Sequence, residues 1–201
     1  MTFIDGIKQR AKENIKTIIL TESEDVRVLK AAEKVKKEEY ANIILIGNEA
    51  DANKLAKEMA EKGSSTNEGG PFGAVITDKE GNIIATGNNQ VLLNNDPTAH
   101  GEVTAIRNAC KKLNTYDLSG YVLYTSCEPC PMCLSAIIWS NIKDIYYACT
   151  REDAANIGFR DDLIYEYLKG NNQDIITLKQ IDRDQCIETF KKYKKENKTI
   201  Y

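Results

Sequence analysis

The chain has 201 residues, of which 42% are hydrophobic and 28% charged, and its formal net charge is −3. This composition indicates a folded protein with a sizeable core, and it argues against a disordered chain and against a broad basic surface for nucleic acid. No apolar run reaches the roughly 18 residues of a membrane helix, and the polar N-terminus is not a signal peptide. We therefore expect a cytoplasmic protein, in which the six cysteines are core residues or metal ligands rather than disulfides.

The N-terminal third predicts a β-α-β unit followed by one more helix. The pattern places strands over 17–20 and 43–46, an amphipathic helix over 25–37, and a second helix over 51–62. The segment resembles the start of phosphate acetyltransferase, and nothing that resembles the larger remainder of that enzyme follows. We therefore expect a fusion, with a phosphate-acetyltransferase-like segment at 1–50, a second domain at 51–201, and a junction between Asn48 and Asn67. The helix over 51–62 then begins the second domain.

The second domain alternates strands and helices. Two strands flank a turn at Glu80-Gly81-Asn82, and further strands are predicted over 121–125, 142–150 and 174–181. Helices are predicted from His100 onward and over 131–140, 161–170 and 184–198. This order predicts an α/β domain with a mixed five-stranded sheet and helices on both faces, and an N-terminal β-α-β appendage.

Two cysteines stand at the start of the helix over 131–140. Cys130 and Cys133, in "SCEPCPMC", lie one helical turn apart, where backbone N–H groups and the helix dipole favour thiolates. Taken alone, a Cys-x-x-Cys pair is also compatible with a redox pair or with chance. The only histidine, His100 in "NDPTAHGEVTAIRNAC", begins another helix. A His-Cys-Cys set with an open fourth position is typical of catalytic zinc.

Glu102 lies two residues after that histidine. A carboxylate beside a zinc site can accept a proton from water and return it to a leaving amine, although a glutamate at a helix start also simply complements the helix dipole. Together with Pro129-Cys130-x-x-Cys133, the residues match the H-x-E…P-C-x-x-C signature of zinc deaminases. The signature predicts zinc ligands at His100, Cys130 and Cys133, and a proton shuttle at Glu102.

The segment from about Asn67 to Tyr201 resembles the cytidine-deaminase-like superfamily, and within it the bacterial guanine deaminases most. The resemblance rests on "GGPFGAVI", "NNDPTAHGEVTAIRNAC", "YTSCEPCPMC" and "AANIGFRDD". The last is the most discriminating, because the tRNA adenosine deaminases share the zinc motifs and lack a Gly-Phe-x-Asp element. The resemblance implies a three-layer α/β/α fold and hydrolytic deamination of guanine to xanthine and ammonia with a single catalytic zinc ion.

The resemblance also implies roles for individual side chains. Phe72 matches a ring that stacks on the purine, Asn89 an amide that binds the base, and Asp161 an acid that recognises the guanine amino edge. Their ordinary alternatives are a core ring, a turn residue and a helix N-cap. The family further implies a homodimer in which the C-terminal segment, with Tyr201, reaches the neighbouring site.

Two positions depart from the family pattern. Gly101 stands where alanine is usual and Arg160 where aspartate is common, which bears on the substrate. Two other function classes remain open at this stage: a deaminase of another nucleobase, a nucleoside or tRNA adenosine, and a catalytically silent zinc-binding fusion protein. The acidic charge disfavours a nucleic-acid partner.

Overall fold

The structure is a computed structural model that describes residues 3–20, 26–45, 48–159 and 161–200. By their contacts the residues form two compact units, Met1–Asp161 and Asp162–Tyr201. None of the described helices is long and apolar enough to cross a membrane.

The first unit begins with the predicted β-α-β arrangement. The elements are α1 (Phe3–Glu13), β1 (Lys16–Leu20), α2 (Val26–Lys37) and β2 (Ala41–Leu45). Strands β1 and β2 pair in parallel, with Ile18 opposite Ile43. Helix α3 (Asn48–Ser65) follows and runs through the predicted junction without a break.

The rest of the first unit is built on a mixed four-stranded sheet. Its elements are β3 (Gly73–Thr77), β4 (Ile83–Asn88), α4 (Val91–Asn94), α5 (Gly101–Leu113), β5 (Val122–Cys127), α6 (Pro131–Trp139), β6 (Asp144–Cys149) and α7 (Arg151–Asn156). The strand order is β4-β3-β5-β6. Strand β3 is antiparallel to both β4 and β5, whereas β5 and β6 are parallel.

Alternate residues of the central strands serve two separate cores. Ile76 and Leu123 pack with Ile137 of α6 and with residues of α5 in the larger core. Val75 and Tyr124 point to the other face, where they pack with Ala52 and other residues of α3. Because successive strand residues face opposite sides of a sheet, helices cover both of its faces, as predicted.

The second unit contains two helices and no strand among residues 162–200. These are α8 (Asp162–Leu168) and α9 (Arg183–Lys195). The prediction of a fifth strand over 174–181 is therefore wrong: the structure has turns and irregular chain there. The segment has the apolar composition of a strand, but Leu178 is 88% exposed and Ile181 78%, so the described chain offers it no partner strand and no core.

Candidate metal and catalytic site

A tight turn brings His100 to the start of α5. The Asp96 carboxylate accepts hydrogen bonds from the Thr98 backbone N–H (2.8 Å) and hydroxyl (2.7 Å), and His100 N–H donates to the Thr98 carbonyl (2.8 Å). His100 is the N-cap of α5 with an extended backbone, so its ring leaves the helix at the first turn. A Cβ at Gly101 would lie 3.0 Å from the Phe72 carbonyl oxygen, so glycine here permits α5 to approach β3 closely.

Cys130 and Cys133 come from the start of α6. Cys130 is the N-cap, and the next residue, Pro131, occupies the first helical position, where its lack of an N–H costs nothing. Cys133 is buried one turn later. The two thiols therefore lie on one side of the helix start, as the spacing predicts.

The three side chains converge. The Sγ atoms of Cys130 and Cys133 each lie 3.5 Å from His100 Nδ1, and all three ligand atoms lie within 4.8 Å of one another. Zinc bonds of about 2.3 Å to sulfur and about 2.0–2.1 Å to nitrogen, at tetrahedral angles, require a separation of about 3.5 Å between sulfur and nitrogen. The donor set and its spacing thus fit tetrahedral zinc with one position left for water or substrate.

Charge at this cluster favours a thiolate. A hydrogen bond from the Cys133 thiol, with a further one from His100, holds the pKa of Cys130 well below its ordinary value. The same Cys130 thiolate is the main reason that the pKa of His100 is raised. A deprotonated thiol is the form that binds zinc, so Cys130 is suited to be a ligand. The hydrogen bond to Cys130 raises the pKa of Cys133, so that a single thiolate is favoured in the absence of metal.

Glu102 lies against this cluster inside the protein. It is 5% exposed; its Oε1 accepts a hydrogen bond from the Thr125 hydroxyl (3.1 Å), and its Oε2 accepts one from the Cys133 thiol (3.3 Å). Burial raises the pKa of the Glu102 carboxyl above its ordinary value. A carboxyl whose pKa is raised by burial, beside an open metal position, is suited to act as a general acid and base.

Phe72 and Asn89 are held together by the backbone. Asn89 N–H donates to the Phe72 carbonyl (2.8 Å), and the Asn89 side chain is 3% exposed. Its Oδ1 accepts the Val91 N–H (3.2 Å), so the amide's carbonyl end is held and its NH₂ end is left to act as a donor. The structure therefore brings these two predicted base-binding residues next to each other.

Asp161 closes the first unit. It is half-buried, and its charge contributes, after Cys130 and Glu102, to the raised pKa of His100. The Asp161 carboxylate therefore lies close enough to the His-Cys-Cys cluster to interact electrostatically with His100. Arg160 and Tyr201, which the sequence singles out, lie outside the described residues.

Phe159 lies next to the site, and no role was predicted for it from the sequence. Its ring meets the Phe72 ring edge to face, with centroids 4.8 Å apart and an interplanar angle of 89°. A Cβ at Gly70 would lie 2.8 Å from Phe159 Cζ, so the glycine makes room for the pair. The Gly-Phe-x-Asp motif was the available signal, but only its aspartate received a role.

Comparison with known proteins agrees with this geometry. The family model described as the cytidine and deoxycytidylate deaminase zinc-binding region matches residues 48–149. The chain belongs to this deaminase family. The match includes all three metal-binding side chains and Glu102, so zinc is the cofactor that the family and the donor set both support.

Proteins named as guanine or tRNA-specific adenosine deaminases are similar to this chain over most of their length. Guanine deaminase of Bacillus subtilis is 48% identical over 142 residues, which cover 70% of this chain and 90% of that protein. The X-ray structure of a Bacillus subtilis guanine deaminase superposes with a TM-score of 0.71 at 45% identity, covering 76% of this chain and 98% of that one. A tRNA-specific adenosine deaminase of Haemophilus influenzae is 33% identical, over 73% of this chain and 85% of its own.

A second family model matches the N-terminal part of this deaminase-family chain. The phosphate acetyl/butyryl transferase model matches residues 2–68, which confirms the predicted resemblance of the N-terminal segment to phosphate acetyltransferase. The two matches overlap over residues 48–68, which contain helix α3.

Proposed function

We propose that the chain catalyses the zinc-dependent hydrolytic deamination of guanine to xanthine and ammonia. The observation that carries the proposal is the buried Glu102 carboxylate, which contacts the Cys133 thiol of a His-Cys-Cys cluster that fits zinc. Guanine is the favoured base because the Bacillus subtilis relative, matched over 90% of its length, is a guanine deaminase. The reaction consumes water, which gives the product its carbonyl oxygen, and releases the exocyclic amine as ammonia.

Glu102 is the proton carrier in this proposal. His100, Cys130 and Cys133 would hold zinc, which would serve as a Lewis acid and lower the pKa of water. Glu102 accepts the proton of the attacking water on one carboxylate oxygen. It delivers this proton to the purine ring nitrogen. It then takes the remaining proton of the added hydroxyl group and passes it to the amine, which leaves as ammonia as the C–N bond breaks and the carbonyl forms. Burial supports this role, because it raises the pKa of Glu102 and so favours the protonated form more than in an exposed glutamate.

Base recognition falls to the residues around this centre. Phe72 offers a ring face for stacking, which any planar base accepts, so selectivity depends on hydrogen bonds to the base edges. The NH₂ group of Asn89 donates to an acceptor on the base, and Asp161 accepts from the amino group of guanine. Tyr201 is proposed as a further contact, supplied by a neighbouring chain.

The assembly and organisation of the chain are part of the same proposal. We propose a cytoplasmic homodimer with exchange of the C-terminal segment, and no membrane or nucleic-acid partner. We also propose that the chain joins a phosphate-acetyltransferase-like segment (1–50) to a deaminase domain (51–201). The overlap of the two family matches over residues 48–68 supports a junction near or within α3.

The test is ammonia release by the zinc-loaded protein from guanine, guanosine, adenine, cytosine and cytidine. We expect release from guanine, lost in Glu102→Ala while zinc stays bound. Glu58→Ala provides a matched control, because Glu58 is an exposed glutamate of α3. Ammonia release from another base, and not from guanine, would identify that base as the substrate instead. No release from any base, in a folded protein with stoichiometric zinc, would identify a silent zinc-binding fusion protein.

A second arm tests the nucleic-acid alternative. The tRNA-specific relative motivates it, although the chain's net charge of −3 does not. Inosine formation in tRNA, with binding that weakens steeply as salt rises, would establish that activity. We expect neither.

A further inference from the structure

Glu68 occupies a junction between three elements that surround the proposed base-binding residues. Its N–H donates to the Gly63 carbonyl near the end of α3 (2.9 Å), and its carbonyl accepts from Leu92 N–H and Leu93 N–H of α4 (both 3.0 Å). Its carboxylate reaches the end of β4, where Oε2 accepts from the Asn88 amide at 2.6 Å. One residue therefore connects α3, β4 and α4.

The Asn88 amide also links Glu68 to Asn89. Its Nδ2 also donates to the Asn89 backbone carbonyl (3.2 Å), and Asn88 itself is 3% exposed. A short bond to a carboxylate is stronger than one between neutral groups. The Asn88 bond also lowers the pKa of Glu68 below its ordinary value, so the carboxylate is ionised at neutral pH.

The same corner is packed too closely to move freely. A Cβ at Gly69 would overlap Asn89 Oδ1, and one at Gly63 would lie 3.1 Å from Asn88 Nδ2. Asn89 N–H in turn donates to the Phe72 carbonyl. A shift of the Glu68 loop is therefore transmitted through Asn89 to the backbone of Phe72.

We propose that Glu68 is a positioning residue for substrate binding: its carboxylate accepts the Asn88 amide hydrogen bond and thereby holds the Asn89 amide and the Phe72 ring in their base-binding arrangement. This inference rests on the proposed function, because it concerns how that site binds its base. Glu68 takes no part in proton transfer. Its loss is therefore expected to weaken binding and to leave the chemical step intact.

The experiment compares Glu68→Ala and Glu68→Gln with Glu58→Ala, a control on the exposed face of α3. Glutamine keeps an oxygen that can accept the Asn88 bond. For guanine we expect KM to rise about tenfold in Glu68→Ala with kcat within about twofold of the starting protein. We expect Glu68→Gln to stay within about threefold of the starting KM. Zinc content should be equal in all four proteins.

Three results would overturn the inference. They are a KM in Glu68→Ala equal to that of Glu58→Ala, a fall in kcat with KM unchanged, and a Glu68→Gln protein as impaired as Glu68→Ala. Backbone amide hydrogen exchange at Asn89 and Gln90 does not depend on catalysis, so it tests the Glu68 inference separately from the proposed function. If the starting protein releases no ammonia from guanine, the proposed function fails. Faster exchange in Glu68→Ala but not in Glu68→Gln then still supports the positioning role, and unchanged exchange overturns it.

Discussion

The region that carries the metal site and the C-terminal unit use similar apolar residues in opposite ways. Around the site, Ile76, Leu123 and Ile137 are fully buried between sheet and helices. In residues 162–200 no side chain is buried, and Ile175, Ile176, Leu178 and Ile181 are exposed. The difference shows that apolar composition predicts a buried strand only where another element supplies the surface that covers it.

The largest effect should come from a metal-binding cysteine in the first region compared with a cysteine in the second. Cys133→Ser removes a buried ligand, whereas Cys186→Ser changes an exposed residue of α9. We expect Cys133→Ser to lose zinc and about 10³-fold in activity, and Cys186→Ser to keep both. Metal analysis and ammonia release check this pair. Full activity of Cys133→Ser would contradict the ligand assignment.

Core truncation sharpens the same comparison. Ile137→Ala should destabilise the zinc-loaded protein by about 2–5 kcal/mol, because it leaves a cavity in the larger core. Ile176→Ala should change the free energy of unfolding by less than about 0.5 kcal/mol, because the side chain is exposed. Urea denaturation measures both. An equally large loss in Ile176→Ala would mean that this segment is covered in solution.

Two glycines extend the contrast to the backbone. A Cβ at Gly87 would overlap Ala105 N and Gly101 O of α5, so Gly87→Ala should cost about 1–3 kcal/mol and weaken zinc binding by displacing His100. Gly170 has φ +93° and open space around it. Gly170→Ala should cost about 1 kcal/mol through backbone strain and leave zinc affinity unchanged. Zinc titration of both variants distinguishes the two cases.

The smallest effect concerns helix caps. Thr150 begins α7 with a complete capping box, in which its hydroxyl accepts from Asp153 N–H (3.3 Å). Asp182 begins α9 with no side-chain capping bond. Thr150→Ala should cost about 1 kcal/mol. Asp182→Gly removes the side chain and suits the left-handed backbone at this position, so it should cost less than about 0.5 kcal/mol, as measured by denaturation. Equal costs would show that the two caps are equivalent.

The metal cluster could be predicted because its signals are local. Each ligand lies at a helix start that the sequence marks, His100 by the preceding Asp-Pro-Thr and Cys130 by the following proline. The four strands of the larger sheet, β3 to β6, were also predicted, since alternating or continuous apolar runs identify them. The order of strands and helices along the sequence then predicted a mixed sheet with helices on both faces.

The remaining features depend on contacts between residues distant in sequence. The short helices α4 and α7 lack a periodic pattern long enough to be recognised, and α7 depends on the Thr150–Asp153 box. Phe159 and Glu68 acquire their significance only when folding brings them to Phe72 and Asn88. A strand over 174–181 was predicted from composition, which carries no information about whether a covering surface exists.

Helix α3 has a geometric consequence for how such a chain tolerates change. Its 18 residues run unbroken from Asn48 to Ser65. An α-helix turns by about 100° and rises about 1.5 Å for each residue. Inserting one residue near its start would therefore rotate everything upstream about the helix axis by that angle, while the zinc ligands downstream kept their mutual distances. The number of residues in α3 thus sets the rotation of the N-terminal segment about the helix axis relative to the four-stranded sheet.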